Sequence, residues 1–216
     1  MNPPQPLRAL AWGNVALHGA GLGLAWFALR PGSALSSLPE RMAYLAGSPP
    51  GWAWGWGVWM LCALVLVAFM AVLCETLPEG STLARLALLT TAAGMAVDLL
   101  CDVVQIQVLP LIAAAGPAET TLFLAAERLA FTGGATAANG LYTTGVLLMT
   151  LGLRERISPL ARLAGWGTVA AGYAMALSGL LPSPELLAAS TGPTIGFYSL
   201  WTVLVARDLG RGTSSA

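Results

Sequence analysis

The sequence contains no lysine, and charged residues of every kind make up only 9% of its 216 positions. All ten basic residues are therefore arginines, which excludes chemistry that needs a lysine amine, such as a Schiff base with retinal or pyridoxal phosphate. Soluble domains usually carry roughly 25% charged residues, whereas 56% of this chain is hydrophobic. The composition predicts an integral membrane protein.

Histidine occurs once, as His18, and cysteine occurs three times. A single histidine excludes paired haem ligands and the multi-histidine metal clusters of membrane oxidoreductases and hydrolases. The cysteines lie in apolar runs without C-x-x-C spacing, which favours small core residues over disulfides or metal ligands. No cofactor is predicted, and the zero net charge gives no indication of a nucleic-acid partner.

Six stretches of the chain are apolar and long enough to cross about 30 Å of hydrocarbon as helices. The predicted fold class is all-α: one polytopic bundle of six transmembrane helices over residues 1–216. A short interfacial helix is predicted after the first span, because Leu35, Leu38, Met42 and Leu45 repeat with helical spacing. Residues 207–216 are predicted to be a disordered tail. The spans are expected near residues 10–29, 55–75, 85–109, 121–151, 160–181 and 187–206.

The distribution of arginines predicts the orientation of these spans, because cytoplasmic loops carry an excess of positive charge. Only Arg30 and Arg41 lie in loops on the side opposite the N-terminus. Both termini are therefore predicted to be cytoplasmic, in a bacterial-type inner membrane whose lipids are the expected partners. The arginines on the N-terminal side are Arg8, Arg85, Arg154, Arg156, Arg162, Arg207 and Arg211.

The third predicted span carries a polar stripe. Asp98, Asp102 and Gln105 follow one another at i, i+4 and i+7, so they share one side of a helix. A carboxylate that faces lipid costs at least about 2.5–3.5 kcal/mol on insertion scales. These side chains are therefore expected to face a protein interior, a cation, a counter-charge or water.

The fourth predicted span carries a second unusual pair, Glu127 and Arg128. If the third and fourth spans run in opposite directions, Arg128 lies at the depth of Asp102, in the outer half of the bilayer. We therefore expect Asp102 to pair with Arg128. Asp98, His18 and Asn139 are expected to form a polar layer nearer the midplane.

Two interpretations of this polar set stay open. In one, an arginine–carboxylate pair with amide partners only fixes the register of the helices, since buried ion pairs do not require a function. In the other, the residues line an outward-facing pocket that binds a proton, a cation or a small polar solute, in a small transporter or a sensor. The three acids Asp98, Asp102 and Glu127 oppose only one fixed positive charge, that of Arg128. Protonation, a charged His18 or a bound cation must therefore offset the excess negative charge. The predicted pocket residues are Asp98, Asp102, Gln105, Glu127, Arg128, Asn139 and His18.

From Asn139 onward the sequence resembles an uncharacterised bacterial six-helix membrane family that is catalogued as a domain of unknown function. The likeness is carried by Asn139-Gly-Leu before an apolar run, by LRERISPLARLAGWG with Pro159, and by Trp201-Thr-Val-Leu-Val before Arg207. The resemblance implies six spans and brings no activity. A non-catalytic membrane component that acts through protein partners, of unknown kind, is compatible with it.

A shorter stretch is similar to the second half of the CDP-alcohol phosphotransferase signature. Ala84-Arg85 is followed by Gly94-x-x-x-Asp98-x-x-x-Asp102 and then by Pro110. In that family four aspartates hold a divalent metal and the last is also the base for the attacking alcohol. The resemblance therefore implies that Asp98 and Asp102 bind metal and that Asp102 is also the base. The first half of the signature, two further aspartates, has no counterpart with the right spacing. A metal-dependent phosphotransferase is therefore the enzymatic alternative.

Overall fold

The computed structural model describes residues 5–211, which form seven continuous helices and no strand. The predicted all-α fold class is confirmed. Helix α1, Gln5–Leu24, continues as a π-helical segment, Ala25–Leu29, and a 3-10 turn, Arg30–Gly32; helix α2 is Leu38–Ala46 and helix α3 is Pro50–Cys74. Helix α4, Thr82–Val103, continues through a π-helical segment, Val104–Val108, into α5, Leu109–Ala114.

The remaining chain follows the same pattern. After a 3-10 turn, Pro117–Glu119, helix α6, Thr120–Phe131, continues through a third π-helical segment, Thr132–Ala138, into α7, Asn139–Gly152. Helix α8 is Pro159–Leu180, and helix α9 is Pro184–Arg211. The six long helices coincide with the six predicted stretches, and α2 with the predicted short helix. Residues 207–211 are helical rather than part of a tail, and residues 212–216 lie outside the described residues.

Local sequence explains where several helices begin. Ser37 forms a capping box with Glu40 at the start of α2. Ser81 and Ser158 cap α4 and α8, where their hydroxyls accept hydrogen bonds from the third helical residue at 3.3 Å. Gly80 precedes α4 with φ +80°, a backbone conformation that glycine adopts without strain.

The third span was predicted near residues 85–109, ending just before Pro110, but the helix does not end there. The helix continues to Ala114. In an α-helix a proline ring clashes with the carbonyl four residues earlier and lacks the N–H that this carbonyl needs. Here the π-helical segment shifts the hydrogen bonds just before the proline, so that the Leu109 N–H donates to the Val104 carbonyl. Pro110 then occupies the first turn of α5, where prolines are tolerated.

Small residues let the central helices approach each other closely. At Gly94 of α4 an added Cβ would lie 3.0 Å from the Ala138 carbonyl oxygen, and at Gly145 of α7 it would collide with Thr91. Such small-residue contacts are typical of packed membrane helices. They fix α4 against the π-helical segment before α7 and against α7 itself.

Buried apolar residues form two clusters at opposite ends of the bundle. The larger cluster surrounds Phe69 and Trp201 and extends to Leu77 and Ile157, in the turns that follow α3 and α7. The smaller cluster joins α2 to α3, α5 and α6 through Leu45, Trp52 and other residues. The two clusters do not merge.

Two of the described helices are long and apolar enough to cross a membrane. They are Pro50–Cys74 and Thr82–Ala114, with mean hydropathies of 2.7 and 1.8 over their most apolar windows. The other long helices are richer in glycine, alanine, serine and threonine, which lowers their hydropathy. Six membrane crossings therefore stay a prediction.

Candidate functional site

A cavity of about 610 Å³ lies inside the bundle between α1, α3, α4, the α6–α7 helix and α9. A volume of this size is typical of small-molecule sites. The structure brings all seven residues predicted to line a pocket to the wall of this one cavity. These residues are His18, Asp98, Asp102, Gln105, Glu127, Arg128 and Asn139.

The cavity extends from one end of the bundle to its middle. Its outer part is lined by residues 32–35, which follow the first helix, and by Pro182 and Pro184, which precede α9. Its inner part is lined by Val146 and Thr168, which lie within α7 and α8. The turns around residues 75–81 and 153–158 lie at the other end of the bundle.

The three π-helical segments of the described chain all contribute to the wall of the cavity. Trp26 comes from the first segment, Gln105 from the second, and Gly134 and Ala135 from the third. Such segments make up well under 1% of residues in proteins and frequently occur at functional sites. Their coincidence here marks the cavity as the part of the molecule where regular helix geometry is interrupted.

The two aspartates differ in their partners. The Tyr142 hydroxyl donates a hydrogen bond of 3.1 Å to Asp98 Oδ2. Asp102 is only 2% exposed, and its buried Oδ2 accepts no hydrogen bond from any described residue. Buried polar atoms are nearly always paired with protein or ordered water. Asp102 therefore lines the cavity with a carboxylate that has a buried oxygen without a partner among the described residues.

The predicted pair of Asp102 and Arg128 is not formed. Arg128 is exposed, and within residues 5–211 it takes part in no ion pair. Its neighbour Glu127 instead binds Arg41 of α2. The prediction used only the depth of each residue, whereas the direction of a side chain also depends on the rotation of its helix. Adjacent helical residues point about 100° apart.

The Arg41–Glu127 contact is a largely buried salt bridge. Arg41 Nη2 donates to Glu127 Oε2 at 2.9 Å, and Arg41 Nε lies 2.8 Å from Oε1 without a hydrogen bond to it. Their side chains are 10% and 15% exposed. Arg41 Nη1 also donates to the Ser36 carbonyl at 2.9 Å. The charge-assisted hydrogen bond is stronger than one between neutral groups, and it holds α2 against α6.

Helix α2 was predicted to lie on the outer membrane surface with its apolar side towards lipid. In the structure Met42 and Leu45 are buried in the smaller apolar cluster, against residues such as Ile112 and Phe123. Leu35 lies before the helix begins and is exposed. The apolar side of α2 therefore packs on protein, at the outer part of the cavity.

The predicted polar layer of Asp98, His18 and Asn139 is divided into separate contacts. His18 Nδ1 lies 2.9 Å from the Asn14 carbonyl, so this nitrogen carries a proton. The Tyr198 hydroxyl donates to Asn14 Oδ1 at 2.9 Å. Asn139 Nδ2 donates to the Gly134 carbonyl at 2.8 Å, within the third π-helical segment. None of these hydrogen bonds reaches Asp98.

A tryptophan satisfies the carbonyl that the second π-helical segment leaves without a helical partner. The Leu109 N–H bonds to Val104, and Pro110 has no N–H, so neither can donate to the Gln105 carbonyl. Trp52 Nε1 of α3 donates to that carbonyl at 2.6 Å. This contact fixes α3 against the irregular part of the third helix.

Several residues of the site were missed in the sequence analysis. Tyr142 follows Asn139 by three positions, so helical spacing alone places both on one side. Asn14 and Tyr198 could have been suspected because each interrupts an apolar stretch. Arg41 had no such signal, because its partner lies on a distant part of the chain.

Groups of three or more metal-ligand side chains are not found among residues 5–211. The two carboxylates that the phosphotransferase resemblance assigns to a metal thus have no third histidine, cysteine or carboxylate beside them. Comparison of the chain with protein-family models, with curated proteins and with solved structures returned no match.

Proposed function

We propose that this chain is an integral membrane protein of the bacterial inner membrane, with six spans, and that its cavity binds a small solute for transport or sensing. The observation that carries the proposal is the unpaired carboxylate of Asp102 on the wall of a cavity of ligand size. Burial of a charge without a partner is costly, so a bound solute, a proton or water has to compensate it.

The distribution of polar and apolar side chains supports the membrane location. Only 33% and 28% of the two most apolar helical windows are buried, so most of their residues are partly or fully exposed. On α8 the exposed residues include Leu163, Trp166 and Leu177, whereas Thr168 and Ser178 are buried. An outer surface of this kind needs an apolar surrounding.

The charged residues support an orientation with cytoplasmic termini. Arg154, Arg156 and Arg162 lie in or just after the turn that joins α7 to α8, and Arg207 lies near the end of α9. Pro182 and Pro184, which line the outer part of the cavity, are at the opposite ends of α8 and α9. The positive-inside rule then directs the cavity towards the outside of the cell.

The test uses the purified protein in lipid nanodiscs and in sealed proteoliposomes. Solutes of several classes are screened for thermal stabilisation and for uptake by wild type and by Asp102→Asn. We expect at least one class to bind wild type and to lose affinity in the variant. Glu79→Gln, in an exposed turn away from the cavity, is the control. If no class distinguishes Asp102→Asn from wild type, the proposal is refuted.

The same variants test the enzymatic alternative. A phosphotransferase of the CDP-alcohol type would bind a divalent metal through Asp98 and Asp102, so Mn²⁺ binding to the wild-type protein should disappear in Asp98→Asn. A purely structural role predicts wild-type behaviour of both variants in every binding and uptake assay.

A further inference from the structure

We propose that the solute is an organic cation, with its ammonium or phosphonium group at Asp102 and its apolar body against the aromatic wall of the cavity. This inference rests on the proposed function and adds the chemical class of the ligand. It is argued from the charges, from the hydrogen bonds already made on the wall, and from the aromatic residues around the carboxylates.

The charge at the inner part of the cavity is negative. Asp98 and Asp102 lie one helical turn apart on α4, and both line the cavity. Neither takes part in any of the ion pairs found in residues 5–211. Glu127, the third acid on the wall, is already paired with Arg41. Arg30 and Arg128 also line the cavity, but both side chains are exposed, whereas Asp102 is buried. The buried unpaired charge on this wall is therefore negative and favours a cationic ligand over an anionic one.

Several polar side chains on the wall are not free to bind a sugar or another polyhydroxy solute. Four threonine hydroxyls donate to carbonyls of their own helices at 2.6–2.9 Å. They belong to Thr143, Thr168, Thr191 and Thr194. The Asn139 amide donates to Gly134 in the same way. These five groups therefore replace little of the hydration that a neutral polar solute loses on binding.

Aromatic rings line the cavity next to the carboxylates. Trp52 and Trp56 of α3 pack edge to face at 5.7 Å, and Trp59 lies one turn further along, with its ring 6.1 Å from that of His18. Trp56 Nε1 is buried and donates no hydrogen bond to any described residue. Tryptophan faces attract organic cations within about 6 Å of the ring.

A bare inorganic cation fits this site less well. Hard ions such as Ca²⁺ or Mg²⁺ take about six or more oxygen ligands in compact geometry. Within the described chain the cavity offers two unpaired carboxylates and no group of three metal-ligand side chains. Its volume of about 610 Å³ is also far larger than one ion requires. A large apolar cation satisfies both the charge and the volume.

The experiment uses two rigid ions of nearly the same shape and opposite charge, tetraphenylphosphonium and tetraphenylborate. Benzyltrimethylammonium serves as a smaller cationic probe. Binding to wild type in nanodiscs is measured by quenching of tryptophan fluorescence and by calorimetry, with empty nanodiscs to subtract partition into lipid. We expect saturable binding of at least one of the two cations and none of the anion.

Variants of the wall residues show which side chains contribute to binding of the cation. Asp102→Asn is expected to weaken the cation's binding about 10-fold or more, as for loss of a charge-assisted contact. Trp59→Leu is expected to weaken it about 2- to 5-fold through loss of a cation–aromatic contact. Glu79→Gln should bind as wild type does. Gel filtration and circular dichroism check that each variant is folded.

The outcomes separate the two proposals. If a neutral or anionic solute binds in an Asp102-dependent manner while neither cation does, the class inferred here is wrong and the proposed function holds. If no solute shows dependence on Asp102, both are wrong. If Asp102→Asn does not fold, the inference is tested by two other measurements. These are the binding of the cations to Asp98→Asn and the preference of the wild-type protein for the cation over the anion. Equal binding of both tetraphenyl ions would overturn the inference.

Discussion

Glu127 and Asp102 are two acids on the wall of the same cavity, and only Glu127 has a counter-charge. Glu127 forms a salt bridge with Arg41 at 2.8–2.9 Å that includes one hydrogen bond, whereas the Oδ2 atom of Asp102 has no partner in residues 5–211. Arginine is not scarce near Asp102, because Arg128 lines the same cavity. We therefore propose that the structural and the ligand-binding interpretation of the polar residues apply to different acids, with Glu127 stabilising the fold and Asp102 binding the solute.

The largest effect is expected from breaking the satisfied pair. Arg41→Ala leaves the buried Glu127 carboxylate without its partner and should lower the free energy of unfolding by about 3 kcal/mol. The measurement is unfolding in mixed micelles by titration with a denaturing detergent. Arg128→Ala is the matched control next to Glu127, and it should change stability by less than about 0.5 kcal/mol.

The double variant sharpens this result. If the two side chains act as a pair, Arg41→Ala combined with Glu127→Ala should cost less than the sum of the single changes. Additive costs, or an equal loss in Arg128→Ala, would mean that Glu127 is not stabilised by Arg41 and would remove the contrast with Asp102.

A smaller effect is expected at the hydrogen bond that satisfies the second π-helical segment. Trp52→Phe keeps an aromatic ring but removes the donor to the Gln105 carbonyl, and should cost about 1–2 kcal/mol. The same unfolding assay measures it, with Trp54→Phe on the exposed side of the same helix as control. A cost no larger than that of the control would show that the carbonyl does not need this partner.

A third acid, Asp208, lies beyond the proposed sixth span. It allows the comparison to be extended to the pH dependence of stability. Burial alone raises the pKa of its carboxyl, but hydrogen bonds from the Ser158 N–H at 2.8 Å and from Arg207 outweigh this and hold the pKa below its usual value. Its contribution to stability is therefore complete above the unfolded pKa of about 3.9 and is lost as the pH falls through the folded value.

The corresponding variant is Asp208→Asn. It should lower stability by about 1 kcal/mol at pH 7, since the contact is partly exposed. The difference from wild type should shrink when unfolding is measured below pH 4. A difference that is constant with pH would show that the charge of Asp208 contributes nothing.

The smallest effect on stability is expected at Asp102. Because its carboxylate has no partner to lose, Asp102→Asn should leave the free energy of unfolding unchanged or raise it by up to about 1 kcal/mol, as when a functional site is made less strained. Thermal unfolding of wild type and variant without added solute measures this. A loss as large as that of Arg41→Ala would show that Asp102 has a structural partner, and the two acids would then not differ.

The sequence was sufficient to predict the helices and the side of α4 that carries the aspartates, because both follow from periodicity within one segment. Helical spacing places Asp98 and Asp102 together whatever surrounds them. It does not specify the rotation of α6, on which the choice between Arg41 and Arg128 depends. Arg41 lies 86 positions from Glu127, so only the folded chain brings them together.

The irregular helix geometry was also beyond the sequence analysis. Pro110 predicted the end of a helix, since a proline normally interrupts helical hydrogen bonding. The π-helical segment before it removes this conflict, and the indole of Trp52 completes the hydrogen bonding from another helix. The prediction failed because the hydrogen bond from Trp52, which is distant in sequence, compensates the local tendency of Pro110 to end a helix.

Helix α2 has a mechanical consequence for the entrance of the cavity. Its Tyr44 hydroxyl donates to the Ala28 carbonyl at the end of the first helix, and its Arg41 holds Glu127 of α6. The spacing of those two helices cannot grow without rupture of one of these attachments. Any widening that admits a bulky guest is thereby directed to the opposite rim, where α9 begins at Pro184 and contains Pro193, which lacks the N–H for a helical hydrogen bond. The mouth of the cavity has one edge fixed by side-chain attachments and one edge formed by the start of this proline-containing helix.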